Sequence, residues 1–421
     1  MTFKKFLGFT LLVVGAGLVV VPGLILWRSY PVGPASNNIN LGVGEGSPTP
    51  IWHSEPLVPT AAPATAGQRN PDEDSGAAEA ALPVIAQTVA NPSENVGSDH
   101  LHRFGLGVAF PPFDDAVADQ LPFGWYLTWR VAEAPERPGG IDFWQMVRLS
   151  EERYRPEKAI IQTIARQNPG STWLIGNEPD VIWQDNVTPA RYAELYHELY
   201  QLLKKADPDS EIAIGGVTQP TPLRLRYLDE VMIAYETGYG QAMPVDVWNI
   251  HNFILQEKRD SWGVSIPPGL DADQGVLYTV AQHDDLEIFE QQLIDFRRWM
   301  AQHGQRDKPL IVSEYGILMP QDYGFDVERV KRFMVGSYQI MLNTTDSELG
   351  YPADENRLVQ GWAWFSLNDN IYPTGNLIDP QTKKLTEIAK HNPKYFNKKS
   401  RSFITENEES SGIIDISDIA G

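Results

Sequence analysis

Apolar residues fall along the 421-residue chain in three textures. From Phe6 to Trp27 they form an almost unbroken run without a charge, close to the ~20 residues an α-helix needs to cross a bilayer core. From Ser29 to Gly97 the chain turns to Pro, Ala, Ser, Thr and Gly with no sustained period. That composition cannot bury enough apolar surface to offset the entropy of ordering, so residues 29–97 are predicted to be a disordered linker. From Ser98 to Tyr395, short β-branched or aromatic runs alternate with helical segments, and an acidic, polar tail occupies residues 396–421.

The runs in the third region predict eight strands: Phe104–Phe110, Trp125–Trp129, Asp142–Arg148, Ser171–Asn177, Glu211–Gly216, Val245–His251, Pro309–Glu314 and Gln360–Ser366. Several are apolar almost throughout, as strands buried on both faces are. Between them, ARYAELYHELYQLLKKA after a Thr-Pro start, LEIFEQQLIDFRRWMAQHG ending in Gly304, and DVERVKRFMVGSYQIML carry helical period. Eight strands alternating with helices over residues 98–395 predict an α/β fold of the (β/α)8 TIM barrel class. The connection VAEAPERPGG is too short and proline-rich for a full helix, so the barrel should be irregular there. A doubly wound open sheet is the alternative, but no Gly-rich phosphate fingerprint follows the first strand.

The flanks change where this domain is expected to work. Lys4 and Lys5 precede the apolar run and only Arg28 follows it closely, a bias that keeps the N-terminus cytoplasmic and sends the remainder across. Residues 1–28 are therefore expected to be a single transmembrane anchor, with the catalytic domain extracellular. Secretion after signal cleavage is the alternative, since Pro34-Ala35-Ser36 supplies small residues. The net charge of −21 disfavours nucleic acid and anionic lipid surfaces as partners. The absence of cysteine excludes disulfides, thiolate metal sites and thiol nucleophiles. His100-Leu-His102 lacks a third ligand, so no metal and no cofactor is expected.

In a barrel the chemistry sits where strands stop. The fourth strand runs into Asn177-Glu178-Pro179-Asp180 and the seventh ends at Glu314-Tyr315-Gly316. Strands four and seven lie on opposite sides of an eight-stranded barrel, so the two carboxylates can face each other across its mouth. Glycoside hydrolysis needs such a pair, one to protonate the leaving oxygen and one to attack or to activate water. A structural reading stands beside this one: Glu178 as a helix-start residue and Glu314 as half of a buried ion pair.

Asn177-Glu178-Pro179 paired with Glu314 resembles the pattern of the clan-A retaining glycoside hydrolases. GNEPD, the preceding DFWQMV, the strand ending in His251 and Trp362-Ala-Trp364-Phe365 look most like glycoside hydrolase family 128, a family of β-1,3-glucanases, over about Phe104 to Phe365. The resemblance implies Glu178 as general acid/base, Glu314 as nucleophile and Asn177 as a hydrogen-bond partner of the sugar 2-hydroxyl. Many clan-A enzymes hold the nucleophile with a tyrosine near the sixth strand end, where this chain has His251-Asn252-Phe253. His251 is then a candidate partner of Glu314 or of a sugar hydroxyl, and Tyr315 a substitute for the missing tyrosine.

Pyranose rings stack on aromatic faces, and the chain has 12 Trp. Trp364 is the candidate platform under the cleaved sugar, with Trp129, Trp183 and Trp262 as outer subsites. Core packing is the competing explanation for each. Arg130 and Arg148 are placed to orient a carboxylate. Trp262 lies in a long connection, Asn252 to Asp285, expected to wall the substrate groove. The whole predicts a monomeric, membrane-tethered glycoside hydrolase whose partner is a β-linked polysaccharide. The alternative is a catalytically silent surface protein that binds glycan in the same cleft.

Overall fold

The computed structural model describes residues 98–390, apart from 111, 112 and 122. The expected membrane segment, linker and acidic tail lie outside the described residues. Among the described residues no helix is long and apolar enough to cross a membrane.

In chain order the elements are β1 (Phe104–Gly107), α1 (Asp115–Ala118), β2 (Trp125–Leu127), β3 (Asp142–Phe143), β4 (Gln145–Leu149), β5 (Tyr154–Arg155), α2 (Lys158–Gln167), β6 (Thr172–Asn177), α3 (Pro189–Ala206), β7 (Glu211–Gly216), α4 (Pro222–Tyr239), β8 (Trp248–His251), α5 (Leu286–Gln302), β9 (Leu310–Gly316), α6 (Val327–Asn343), β10 (Gly361–Phe365) and α7 (Glu387–Lys390). Six strands pair in the order β3-β2-β1-β10-β9-β8 and four in the order β5-β4-β6-β7. All pairings are parallel except β5 on β4.

Two seams join these sheets into one barrel-like ring. At the first, Trp144 alone separates β3 from β4, and its N–H donates to Tyr126 O while the Met146 N–H donates to Arg130 O. At the second, parallel bridges link Ala213 to Val247 and Val217 to Ile250. The ring has eight staves, the third made of β3 and β4, so all eight expected strands find a place. The expected irregularity is also present: only the 3-10 turn Pro138–Gly140 stands between the second and third staves.

The helices start where the sequence marks them. Pro189 and Pro222 take first-turn positions after Thr188 and Thr221, where a missing N–H costs nothing. Asp285 and Asp326 accept first-turn N–H groups of α5 and α6. These helices cover a shell of apolar side chains on the outer face of the ring.

A smaller interior cluster fills the ring itself: Trp125, Leu127, Met146, Leu174, Ala213, Val247, Ile311 and Ala363. Two glycines of β1 make room for it. A Cβ on Gly105 would stand 2.3 Å from the Trp125 indole, and one on Gly107 2.9 Å from the Trp129 indole. Trp125 thereby plugs the barrel, stacked on Trp144 at 3.6 Å, and Trp129 reaches across the mouth.

Candidate active site

Glu178 and Glu314 meet at the C-terminal end of the ring. Glu178 leaves β6 in a left-handed turn, φ 44°, with its N–H donated to Gly216 O at 3.1 Å. A non-glycine residue held there stores backbone strain, which clusters at functional sites. Trp129 is held likewise, at φ 56°.

A bulge in β9 aims Glu314. Ile311 faces the interior cluster, so strict alternation would turn Ser313 and Tyr315 inward as well. The partners of Val312 and Tyr315 on β10 are Trp362 and Trp364, and those of Val312 and Glu314 on β8 are Ile250 and His251. One extra residue at Ser313 therefore shifts the phase, so Glu314 turns to the mouth and Tyr315 to the helices. Re-aiming a side chain beside a site is a common use of a bulge.

His251 lies between the two carboxylates. Its Nδ1 is 2.9 Å from Glu178 Oε1 and its Nε2 is 3.9 Å from Glu314 Oε2. The Trp129 indole N–H donates to Glu314 Oε2 at 2.7 Å. Oxygen atoms of Glu178 and Glu314 approach within 4.8 Å. Burial pushes the Glu314 carboxyl up to about 7, the Glu178 charge adds to this, and His251, the Trp129 N–H and Arg148 pull it back. His251 is raised as well: burial disfavours its cation, but Glu314, Glu178 and Asp180 outweigh that.

Among the described residues these three also have atoms near enough to surround a cation. His251 turns a different ring nitrogen to each carboxylate, however, which suits proton sharing better than chelation of one ion.

A second set of polar side chains supports the Glu178 side. Asp185 accepts from the N–H groups of Asn177 (2.8 Å) and Leu149 (2.9 Å) and from Arg148 Nε (2.7 Å). Gln184 Oε1 accepts from Asn177 Nδ2 at 3.2 Å and from Arg148 at 3.3 Å. Asn177 is thus fixed at the site, buried, with its Oδ1 unpartnered. Asp180, two residues after Glu178, is fully buried against Arg224 at 3.0 Å. Burial pushes its carboxyl up to about 6, opposed by Arg224 and reinforced by Glu178.

Several expected roles change. Trp364 is fully buried, edge-on to Tyr315, with its indole N–H donated to Gly375 O. It has no exposed face for a sugar and belongs to the core. Tyr315 packs on Phe289 and Phe333 beneath α5 and α6 and does not reach Glu314; the N–H donor to Glu314 is instead Trp129, two residues past β2. His251 hydrogen-bonds Glu178 rather than Glu314. Arg148 orients Asp185, not a catalytic carboxylate, and Arg130 is exposed with no side-chain partner among the described residues.

Trp183 and Trp262 are half-buried, packed against the core, on the turn after Glu178 and on the long β8–α5 connection. Asp180, Gln184, Asp185 and Arg224 were not singled out from sequence. Only Asp180 lay inside a quoted motif, GNEPD.

No protein-family model and no curated protein matches the sequence. Solved structures do. An endo-β-1,3-glucanase of glycoside hydrolase family 128, subgroup II, from Pseudomonas viridiflava shares 17% identity over 70% of this chain and 97% of its own, with a TM-score of 0.47. The subgroup II enzyme of Sorangium cellulosum shares 19% identity over 70% and 98%, TM-score 0.47. A curdlan-specific exo-β-1,3-glucanase of subgroup III from Blastomyces gilchristii shares 17% over 72% and 99%, TM-score 0.46. The motifs quoted from the sequence resemble the same family.

Proposed function

We propose that the chain is a retaining glycoside hydrolase acting on a β-linked polysaccharide, with β-1,3-glucan as the candidate substrate. One observation carries this reading. Two enclosed glutamates from opposite staves approach within 4.8 Å at the barrel mouth, with a histidine between them. Carboxyl groups about 5–5.5 Å apart suit a nucleophile and an acid/base, whereas inverting pairs stand roughly 6.5–9.5 Å apart to admit a water.

In this mechanism Glu314 attacks the anomeric carbon as its carboxylate while Glu178 gives a proton to the departing glycosidic oxygen. The C–O bond breaks and a glycosyl ester forms on Glu314. Glu178, now ionised, takes a proton from water, the water attacks the anomeric carbon, and Glu314 leaves. The cluster has the groups for this cycle. The Trp129 N–H stabilises the Glu314 anion before attack and after release, and His251 offers Glu178 a partner 2.9 Å away across which a proton can be held. The unpartnered Asn177 Oδ1 is free to accept from a sugar hydroxyl.

An exported, membrane-tethered monomer remains the proposed setting. It is supported by the charge-flanked apolar run Phe6–Trp27.

The test is hydrolysis of β-1,3-glucan by the full chain, with the anomer released followed by NMR. Glu314→Gln should lower turnover by at least ~10⁴-fold and Glu178→Gln by roughly 10²–10⁴-fold. Undiminished activity in either variant, or release of the inverted anomer, would sink the assignment. Binding of glucan without turnover by the unmodified protein would select the silent glycan-binding alternative.

A further inference from the structure

Beneath Glu178 lies a fully buried charged group with no part in the mechanism just given. Arg224, in the first turn of α4, stands 3.0 Å from Asp180 and 3.3 Å from Glu257, and all three side chains have no exposure. Arg224 also donates to the carbonyls of Val264 and Ser265. Glu257 accepts from the Thr221 hydroxyl and from the Val276 N–H. Glu257, Val264, Ser265 and Val276 all belong to the long β8–α5 connection, so one guanidinium seats that connection against the barrel.

The other end of the group fixes the acid turn. Asp180 accepts from the Thr218 N–H just past β7, and the Glu178 N–H bonds Gly216 O at the end of β7. The Val181 N–H closes the turn on Glu178 O. The same stretch of chain carries the histidine, because the His251 N–H bonds Val217 O and the Phe253 N–H bonds Thr218 O. Glu178, His251 and the long connection are therefore all referenced to residues 216–218, and Asp180 and Arg224 clamp that reference.

Stability alone is a weak reason for such a group. Replacing a buried ion cluster by well-packed apolar residues is often neutral or stabilising, and here two carboxylates share one guanidinium. A geometric duty explains the arrangement better, because misplacing a catalytic group by about 1 Å can cost on the order of 10²-fold in rate.

We propose that Asp180 and Arg224 are positioning residues for the general acid, transmitting the seating of the long connection to the turn that carries Glu178. This rests on the hydrolase reading above. The consequence is selective: leaving-group protonation depends on the group, whereas attack by Glu314, built on β9 and Trp129, does not.

The experiment compares two substrates of the full chain and its Asp180→Asn and Arg224→Lys variants: an unactivated β-1,3-gluco-oligosaccharide, and the matching dinitrophenyl β-glycoside, whose leaving group needs no proton. Each variant should lose roughly 10- to 100-fold in kcat on the oligosaccharide, under about threefold in the dinitrophenol burst, and change KM on the oligosaccharide less than twofold. Circular dichroism and melting establish that each variant is folded, and Glu257→Gln replaces either one that is not. Equal losses on both substrates, or no loss on the oligosaccharide, overturn the proposal and leave the hydrolase reading intact. An unmodified chain inert on both substrates overturns the two together, an outcome plainly different from the first.

Discussion

The two glutamates are supported by opposite kinds of structure. Glu314 stands in the six-stranded sheet, whose strands β9 and β10 back onto aromatic rings: Tyr315, Trp364, Phe333 and Phe289 meet edge to face or tilted under α5 and α6. Phe104, Tyr338 and Trp362 continue the cluster along β1. Glu178 and Asn177 follow from the four-stranded sheet, backed by the buried polar sets of Asp185 with Arg148 and of Asp180 with Arg224.

The difference matches the two proposed tasks. An aromatic backing is stiff and non-directional, and it leaves burial to dominate the Glu314 carboxyl. A polar backing is directional and fixes the angle of a turn, which a proton donor needs. Each half can be broken separately.

The largest expected effect falls on the aromatic side. Trp364→Ala removes a fully buried indole between Tyr315 and Phe333 and should cost about 3–5 kcal/mol of stability, read from urea unfolding. A sugar platform would behave otherwise, with weakened glucan binding at nearly unchanged stability, and that result would return Trp364 to the cleft. On the polar side, Asp185→Asn keeps the shape but presents an amide to three donors, and should cost about 1–3 kcal/mol. It should also lower kcat, because the Asn177 backbone loses its anchor. Full activity at reduced stability would show that this half is scaffold alone.

These halves were unequally legible in the sequence. Strands buried on both faces write themselves as apolar runs, so the eight staves and the strand-end glutamates could be found. The aromatic half was legible as apolar but misassigned in detail. Position at a strand end suggests the cleft for both Trp364 and Tyr315, but Ala363 faces the interior, so plain alternation along β10 turns Trp364 to the helices, and the extra residue at Ser313 inverts the phase of β9 and turns Tyr315 there too. Nothing in Val-Ser-Glu announces a bulge. The polar half was nearly silent, since Arg224 and Asp180 are 44 positions apart in the chain and Arg148 and Asp185 37. An ion pair across such a distance has no local pattern, and a helical arginine reads as a solvated one.

The smallest effect tests the contact where the halves come nearest. The Trp129 indole N–H donates to the proposed nucleophile, and this contact lowers the Glu314 carboxyl that burial pushes up to about 7. Attack requires the Glu314 anion while Glu178 keeps its proton, so kcat/KM should fall on the acid side as Glu314 takes up a proton. In Trp129→Phe the donor is gone and a ring remains. The neutral carboxyl is then favoured further, so the acid limb of the profile should move to higher pH. At pH 6 activity should be roughly two- to tenfold lower than in the unmodified chain, the worth of one hydrogen bond, while well above the limb, near pH 8.5, the two should converge on this account. A uniform loss at every pH would assign Trp129 to packing or sugar contact instead, and an acid limb moved to lower pH would mean that the indole does not favour the anion.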